Sequence, residues 1–235
     1  MLTTRHYHLL YVPSAPAPPT LYPQIASNSS GSTSVGATQI ATAFPSGVTA
    51  GNLLLLFVAR LNAMTMTWPS GWTPLVTNTA NDSAFEVRWR AYQAGDTSPT
   101  ITGTASAYVY RMLRISGHHP GTAPEASTLV TGTSTTPNPG SLDPAGWGTE
   151  STLWISAQSN AGTSAPSAYP ADYGGVLANA GSFGPALALA MRESTTSSQD
   201  PGTFTLPASQ VWAAVTIAIR PAPVISTSSG FMMFF

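Results

Sequence analysis

The sequence predicts an all-β protein: a two-sheet antiparallel β-sandwich of jelly-roll type with an extended arm at each end. Two observations predict this class. In several segments apolar and polar residues alternate with a period of two, as in strands with one wet face. Clusters of Gly, Pro, Asn and Asp separate these segments, and no stretch combines a helical period with helix caps. A length of 235 residues with 43% hydrophobic content suffices for one large core.

Residues 1–36 are predicted to form an N-terminal anchoring arm and spacer. Tyr7, Leu9 and Tyr11 alternate along the chain, so an extended segment would present one aromatic and apolar face. Such a face suits a strand that is added to a partner protein. The apolar stretch around these residues is too short and too interrupted for a secretory signal, and we therefore expect a mature N-terminus.

The folded domain is expected over residues 37–221. Prolines at residues 13–23 favour a stiff extended spacer, and the polar residues 27–36 favour a flexible one, so regular structure is expected to begin near residue 37. In chain order, strands are predicted at residues 38–44, 53–59, 85–92, 107–115, 126–131, 152–158, 185–192 and 211–220. The segment 53–59 is apolar on both faces, which is typical of a central strand. Propensity alone also allows a helix at 185–192.

The two halves of this domain resemble each other weakly. Four segments of the first half are LLLLFVARLNA, PSGW, FEVRWRAY and TITGTASAYVYRMLRI. They recur in the same order about one hundred residues later as TLWISAQSNAG, PSAY, PALALAMRE and TFTLPASQVWAAVTIAI. An internal duplication would build the sandwich from two similar halves of about four strands each. The alternative is that any all-β chain aligns with itself this well.

The composition favours assembly. Only 7% of residues are charged, against roughly 25% in an average domain, and all eight cations are arginine. A surface of Ser, Thr, Asn and Gly loses little side-chain entropy and few solvated charges on burial, so we expect a homo-oligomer, either a trimer or a ring. The net charge of -1 offers no attraction for nucleic acid. The longest apolar run, residues 53–59, is too short for membrane insertion.

The sequence predicts no enzyme, metal site or cofactor. His118 and His119 are adjacent, so in an extended chain their rings point to opposite sides, and a polar turn explains them better than a metal site. Acidic residues are scattered singly beside turns, although two of them meeting in space remains open. The chain contains no nucleophile elbow, phosphate loop or metalloprotease motif, and it has no cysteine for a disulfide or a finger-type zinc site.

Aromatic residues in or beside loops are the candidate ligand-facing groups. Such rings stack on sugars or press against protein partners in many binding modules. The alternative is that Trp72 and Tyr169 plug the ends of the sandwich. The five candidates are Trp68, Trp72, Trp147, Tyr169 and Tyr173.

The order of turns and strands resembles a known family. The relevant segments are PSGVTAGNLLLLFVA, WPSGWTPL, RWRAYQAGD, ASAYVYRMLRISG and QVWAAVTIAIRP, which together span residues 37–221. This pattern resembles a β-sandwich module of structural proteins in tailed bacteriophages and prophages. The resemblance implies a virion component without an active site, and we expect a tail fibre or tail-tip protein that contacts other virion proteins and a host surface glycan. Alternatives are a capsid decoration or head-fibre protein and a carbohydrate-binding lectin.

The C-terminal residues 222–235 are predicted to be a linker and an apolar tail. The last five residues are all apolar, and full burial of a Phe or Met side chain is worth roughly 1.5–3 kcal/mol. We expect the tail to dock into a groove on an identical or neighbouring subunit, the alternative being that it caps its own sandwich. Its residues are Phe231, Met232, Met233, Phe234 and Phe235.

Overall fold

The computed structural model describes residues 21–63, 65–79 and 83–224. Within them the chain forms strands and no helix, which confirms the all-β prediction. None of the described residues therefore forms a helix able to cross a membrane. The strands are β1 (Gln24–Ser32), β2 (Ala37–Ala41), β3 (Leu53–Leu61), β4 (Thr73–Asn78), β5 (Ser83–Ala91), β6 (Thr100–Ser106), β7 (Tyr108–Ser116), β8 (Glu125–Ala126), β9 (Val130–Ser134), β10 (Glu150–Asn160), β11 (Gly174–Ala180), β12 (Ala186–Thr196) and β13 (Gln210–Ile219).

The strands form two large antiparallel sheets that face each other. Sheet 1 has the order β1-β7-β3-β5-β4, and sheet 2 has the order β11-β12-β10-β13-β8, with β9 also paired to β13. Strands β2 and β6 form a separate pair. Sheet 1 uses only strands of the first half of the chain and sheet 2 only strands of the second half, so each half folds into its own sheet.

The two sheets have the same topology. If β8 and β9 together correspond to β1, then β13 corresponds to β7, β10 to β3, β12 to β5 and β11 to β4, and the two strand orders become identical. An aromatic ring also covers a glycine of the edge strand in both sheets: Tyr110 lies opposite Gly31, and Trp212 opposite Gly132. This agreement supports the duplicated organisation that the sequence suggests.

The main core lies between the sheets. Alternate residues of the central strands point inward, because side chains of a strand alternate between its two faces. From sheet 1 these include Leu53, Leu55, Phe57, Phe85, Val87, Leu113 and Ile115, and from sheet 2 Leu153, Ile155, Leu187, Leu189, Val215, Ile217 and Ile219. All of them are at most 3% exposed, so this core accounts for most of the apolar burial of the sandwich.

Each sheet is also covered on its outer face. Strands β2 and β6 and the segment around Trp72 cover sheet 1, where Ile40 and Ile101 pack on Leu54 and Leu56. Irregular segments cover sheet 2 and are joined by single bridges, Leu142 to Gln199 and Ala168 to Thr205. Strand β3, buried on both faces, is apolar almost throughout, as residues 53–59 predict, whereas β10 also buries polar residues such as Ser156 and Gln158.

The expected spacer at residues 27–36 is mostly a strand. Strand β1 pairs with β7 along its length, so regular structure begins at Gln24, and the expectation that it begins near residue 37 is wrong. The sequence pattern does not predict β1, because this edge strand consists mainly of Ser, Asn and Gly, and its side chains are exposed or only partly buried. The segment that also allowed a helix, residues 185–192, lies almost wholly in strand β12.

Candidate functional site

Both ends of the described chain meet at one end of the sandwich. The backbone NH of Ala222 donates to the carbonyl oxygen of Gly117, at 2.8 Å, just after β7. A Cβ added to Gly117 would lie 3.6 Å from the carbonyl oxygen of Tyr22 and 3.7 Å from Cα of Pro23. We call residues 21–23, 117–119 and 220–222 the terminal pole. The chain enters and leaves the sandwich there.

Hydrogen bonds fix the terminal pole to sheet 2. The hydroxyls of Tyr22 and Thr195 are 2.7 Å apart, and the amide of Gln24 donates to the carboxylate of Glu193 at 2.7 Å. These contacts join the first residues of sheet 1 to the end of β12. The first and last described residues of the chain are therefore fixed to the sandwich by hydrogen bonds.

An ion pair completes the pole. Arg220 donates to both carboxylate oxygens of Glu150, at 2.8 and 2.5 Å, and these hydrogen bonds raise its pKa. The guanidinium also lies 5.9 Å from the ring centroid of Trp147, which is buried. A bidentate pair is directional as well as charged, so it fixes the end of β13 to the start of β10.

The two adjacent histidines belong to the pole and have structural partners. His118 forms a bridge with Pro221, and burial lowers the pKa of its imidazole. His119 accepts a hydrogen bond from the backbone NH of Gly121 through Nδ1, at 3.1 Å. Within the described ranges, no three His, Cys, Asp or Glu side chains lie close enough together to hold a metal ion.

Four of the five candidate aromatics form matching corners in the two halves. The segment 68–72, with the sequence WPSGW, precedes β4, and the segment 169–173, with the sequence YPADY, precedes β11. The fourth residue has positive φ in both, +84° at Gly71 and +63° at Asp172. The structure thus matches PSGW to PADY rather than to PSAY at residues 166–169, which corrects the alignment expected from the sequence.

These corner rings cover the outer faces of the sheets. Trp72 and Tyr173 are 5% and 8% exposed, and the guanidinium of Arg90 lies 5.8 Å from the ring centroid of Trp72. Burial raises the pKa of the Tyr173 hydroxyl far above its ordinary value. Trp72, Trp147 and Tyr173 are thus buried against their own sheets, and of these three rings Trp72 also lines a cavity.

Trp68 and Tyr169 are half-buried at the rims of the same corners. Arg88 lies 4.8 Å from the ring centroid of Trp68, and Tyr169 packs edge-on against Phe204 with 5.8 Å between ring centroids. Burial also raises the pKa of Tyr169. Both rings therefore pack within the outer layers as well.

A polar cavity of about 610 Å³ lies beside the corner of the first half. Arg90 and Asp96 form an ion pair of 2.7 Å on its wall, and hydroxyls of Ser70, Thr97 and Ser98 line it. Hydroxyls with one fixed charge pair offer donors and acceptors to a polyhydroxylated ligand. No local sequence pattern indicates this cavity, because its two walls, residues 69–72 and 90–100, come from separate parts of the chain.

A second cavity, about 440 Å³, opens between the two sheets at their β1 and β11 edges. We call it the seam groove. Its floor is apolar and consists of Ile25, Leu153, Leu177 and Met191, all of which belong to or pack on the main core. Polar side chains form its rim: Gln24, Asn28, Arg192 and Glu193. The main core is thus open to the surface at this edge.

The arginines in the described part of the chain serve the structure. Arg111 lies between the sheets, where it donates to Asn28 Oδ1 and to the carbonyl oxygen of Ala178, both at 2.7 Å. Burial lowers its pKa. Ion pairs with acidic side chains engage Arg88, Arg90, Arg192 and Arg220. These five arginines therefore hold strands and loops of the described chain in place through ion pairs and hydrogen bonds.

The predicted anchoring residues lie outside the described ranges. They are Tyr7, Leu9, Tyr11, Phe231, Met232, Met233, Phe234 and Phe235. Their assignment as anchors stays a prediction.

Comparisons with family models, with curated proteins and with solved structures found no match for this chain.

Proposed function

We propose that the protein is a non-enzymatic structural component of a bacteriophage particle, a β-sandwich anchored through the segments that flank it. The observation that carries this proposal is the terminal pole. Because the chain enters and leaves beside Gly117, both flanking segments extend from one end of the sandwich. Two attachments at one end leave the other end free for display. A tail fibre or tail tip is the proposed location.

The opposite end of the sandwich has the properties of a displayed surface. Strands β10 and β11 end there, and β12 and β13 begin there, so the loops 161–165, 181–185 and 207–209 lie at this end. We call it the distal pole. These loops carry no charged residue, and Phe183 is 56% exposed. An exposed aromatic in an uncharged loop suits contact with a receptor or another virion protein.

Two acidic residues held in ion pairs support a structural role, one of them buried and the other half-buried. Glu86 is 1% exposed and pairs with Arg88 at 3.2 Å, and Glu150 pairs with Arg220. Each carboxylate is neutralised by a guanidinium and is thereby committed to holding its own loop or strand.

Labelling of intact particles tests this proposal. We expect an epitope inserted at residue 163, in the distal pole, to be recognised on the tail by antibody in electron micrographs. An epitope placed before Met1 should be recognised only after the particle is dissociated. Deletion of residues 1–20 should leave a folded chain that fails to join particles. Equal labelling of both epitopes, or normal incorporation of the truncated chain, would contradict the proposal.

The same micrographs separate the two locations. Label on the shell instead of the tail would identify a capsid decoration or head-fibre protein, which needs the same anchored architecture. The protein would still be anchored through its flanking segments, but on the capsid instead of the tail.

The polar cavity supports carbohydrate binding as a second candidate function. A glycan array probed with the full chain should then show saturable binding. Thr97→Trp, which fills the cavity, should abolish this binding, whereas Ser164→Trp at the distal pole should preserve it. Absence of binding by the wild-type chain would rule out this candidate.

A further inference from the structure

We propose that the seam groove is a receptor for residues 231–235 of a second copy of this chain, so that copies assemble by exchanging their C-terminal tails. The inference deepens the proposed function, because it names the surface and the segment through which subunits join. It rests on the groove and on the position at which the described chain leaves the sandwich.

The seam groove has the chemistry of a site for large apolar side chains. Its floor is continuous with the main core, because Leu153 lies in that core and Leu177 and Met191 pack on it. Methionine adapts its shape to an incoming ring or thioether more readily than branched residues do. Gly174 and Gly175 line one wall, so the backbone of β11 is close to whatever occupies the groove.

The exit of the chain lies near the groove. Gln24 lines the groove, the preceding Pro23 packs against Gly117, and Ala222 is hydrogen-bonded to that same glycine. Residues 223–230 separate this exit from the tail. Eight residues reach at most about 28 Å when fully extended. That length suffices to enter the groove of a copy packed alongside.

The tail fits this groove better than the N-terminal arm does. Phe231, Met232, Met233, Phe234 and Phe235 are consecutive apolar residues, whereas the arm interleaves His6 and His8 with its aromatic positions. The proline-rich residues 13–19 also favour a stiff spacer, which would hold the arm away from an opening that begins at Gln24. A short, wholly apolar segment is the one that gains most from a groove floored by core residues.

A second copy is the occupant that the structure favours. The tail is not needed to cover the outer faces of its own sandwich, since both are already covered and β13 lies inside sheet 2 between β10 and the β8–β9 edge. The strands beside the groove, β1 and β11, carry no charged residue that would repel an identical surface. Mutual exchange of tails between two copies fills both grooves and closes the assembly, as two-fold symmetry requires.

Two full-length variants test the groove and the tail independently. Gly174→Leu fills the groove from its wall, and a Cβ at this position meets no atom within 4 Å, so the substitution needs no rearrangement. Its matched control is Val176→Leu, on the same strand but outside the groove and 41% exposed. The tail variant combines Phe234→Ser with Phe235→Ser, and Ser228→Ala is its control.

Sedimentation of the purified chains gives the result. We expect the wild type and both controls to associate in a concentration-dependent way, and each of the two variants to associate about 100-fold more weakly or worse. When the two variants are mixed, the intact tail of one should enter the intact groove of the other. The mixture should therefore form heterodimers that neither variant forms alone.

Three outcomes would overturn the proposal. The first is a wild type that stays monomeric at every concentration measured. The second is association of Gly174→Leu or of the tail variant at wild-type strength. The third is a monomer whose melting temperature falls in both variants with no recovery on mixing, since the tail would then fill the groove of its own chain. Self-association of the purified chain is independent of where the protein lies in a particle, so this test and the labelling test can fail separately.

Discussion

The two halves of the molecule share a topology but fill their outer layers with different residues. In the first half the strands carry the bulk: Leu54, Leu56 and Met112 point outward beneath the β2–β6 pair. In the second half β12 and β13 carry the small residues Ala188, Ala190 and Ala218 on this face, and the large outward residues of the sheet are Trp154 and Trp212. Large residues of the covering segments fill the space there, namely Leu142, Trp147, Tyr173 and Phe204.

This difference shows which features the shared topology requires. The inner faces are apolar in both halves, the corners before β4 and β11 keep a positive φ at their fourth residue, and the edge glycines keep a ring above them. The outer faces, apart from these corners, are filled by different residues in the two halves. Cores tolerate such redistribution when the total volume and the pattern are maintained.

The largest expected effect comes from removing bulk from the cover of the second half. Phe204 is fully buried, so Phe204→Ala should lower the free energy of unfolding by about 3–5 kcal/mol through lost burial and a residual cavity. Denaturant unfolding measures this change. Phe183→Ala removes the same side chain at an exposed position and should change stability by less than about 0.5 kcal/mol. A similar cost for both substitutions would contradict the assigned packing of the outer layer.

The ring-over-glycine pairs should behave alike in the two halves. A Cβ at Gly31 would lie 2.7 Å from the Tyr110 ring, and one at Gly132 would lie 2.6 Å from the Trp212 ring. Both rings are held by hydrogen bonds, Tyr110 to the backbone of Ala43 and Trp212 to Ser134. Each Gly→Ala substitution should therefore cost about 1–3 kcal/mol. A loss in one half only would show that the two edges are not equivalent.

The corners should differ in their response to high pH. Burial raises the pKa of Tyr173, so above the ordinary tyrosine pKa of about 10 the unfolded chain loses this proton while the folded chain retains it. The free energy of unfolding should therefore fall as the pH rises above 10, by up to about 1.4 kcal/mol per pH unit for this group. The corresponding Trp72 does not titrate.

Tyr173→Phe isolates this contribution. Unfolding of the variant should depend less steeply on pH above 10 than unfolding of the wild type, and at pH 7 the two should differ little, because the Tyr173 hydroxyl has no hydrogen-bond partner among the described residues. Identical pH profiles would exclude Tyr173 as the source.

The smallest expected effect concerns a buried serine of the second half. Ser156 is fully buried and its hydroxyl finds no partner in the described part of the chain, whereas Ser159 shares a 2.7 Å hydrogen bond with Ser83. Ser156→Ala should be neutral or stabilise by up to about 1 kcal/mol, and Ser159→Ala should destabilise by about 1–2 kcal/mol. Thermal melting of both variants measures these changes. A lower melting temperature for Ser156→Ala than for Ser159→Ala would contradict the prediction.

The sequence predicted the central strands well and the edge strands poorly. Residues 53–59 and 152–158 lie within β3 and β10, whose inward-facing residues, such as Leu55 and Ile155, are apolar and buried. Strands β1, β4, β6 and β11 were not predicted, because they lie at sheet edges or in the outer layer, where Ser, Thr, Gly and Pro74 weaken the alternating pattern. Edge strands have one paired side and little burial, so their sequences are less constrained.

The surfaces were harder to predict than the strands. The sequence proposes the aromatic residues of the corners as ligand-facing groups, but their burial depends on Arg88, Arg90 and Phe204, which meet them only in the folded chain. The seam groove joins Ile25 to Leu177 and Met191 from the other sheet. No local pattern encodes such a pairing.

The terminal pole also determines how the sandwich responds to mechanical force. A pull on the N-terminal segment acts on the first residue pair of β1, an edge strand with a single partner, so its ladder to β7 would open one hydrogen bond at a time. A pull on the C-terminal segment acts on the end of β13, which is flanked on both sides and fixed by Arg220 and Glu150. Under load the strand β1 would detach first and expose the edge of β7, while sheet 2 stayed attached to its tether.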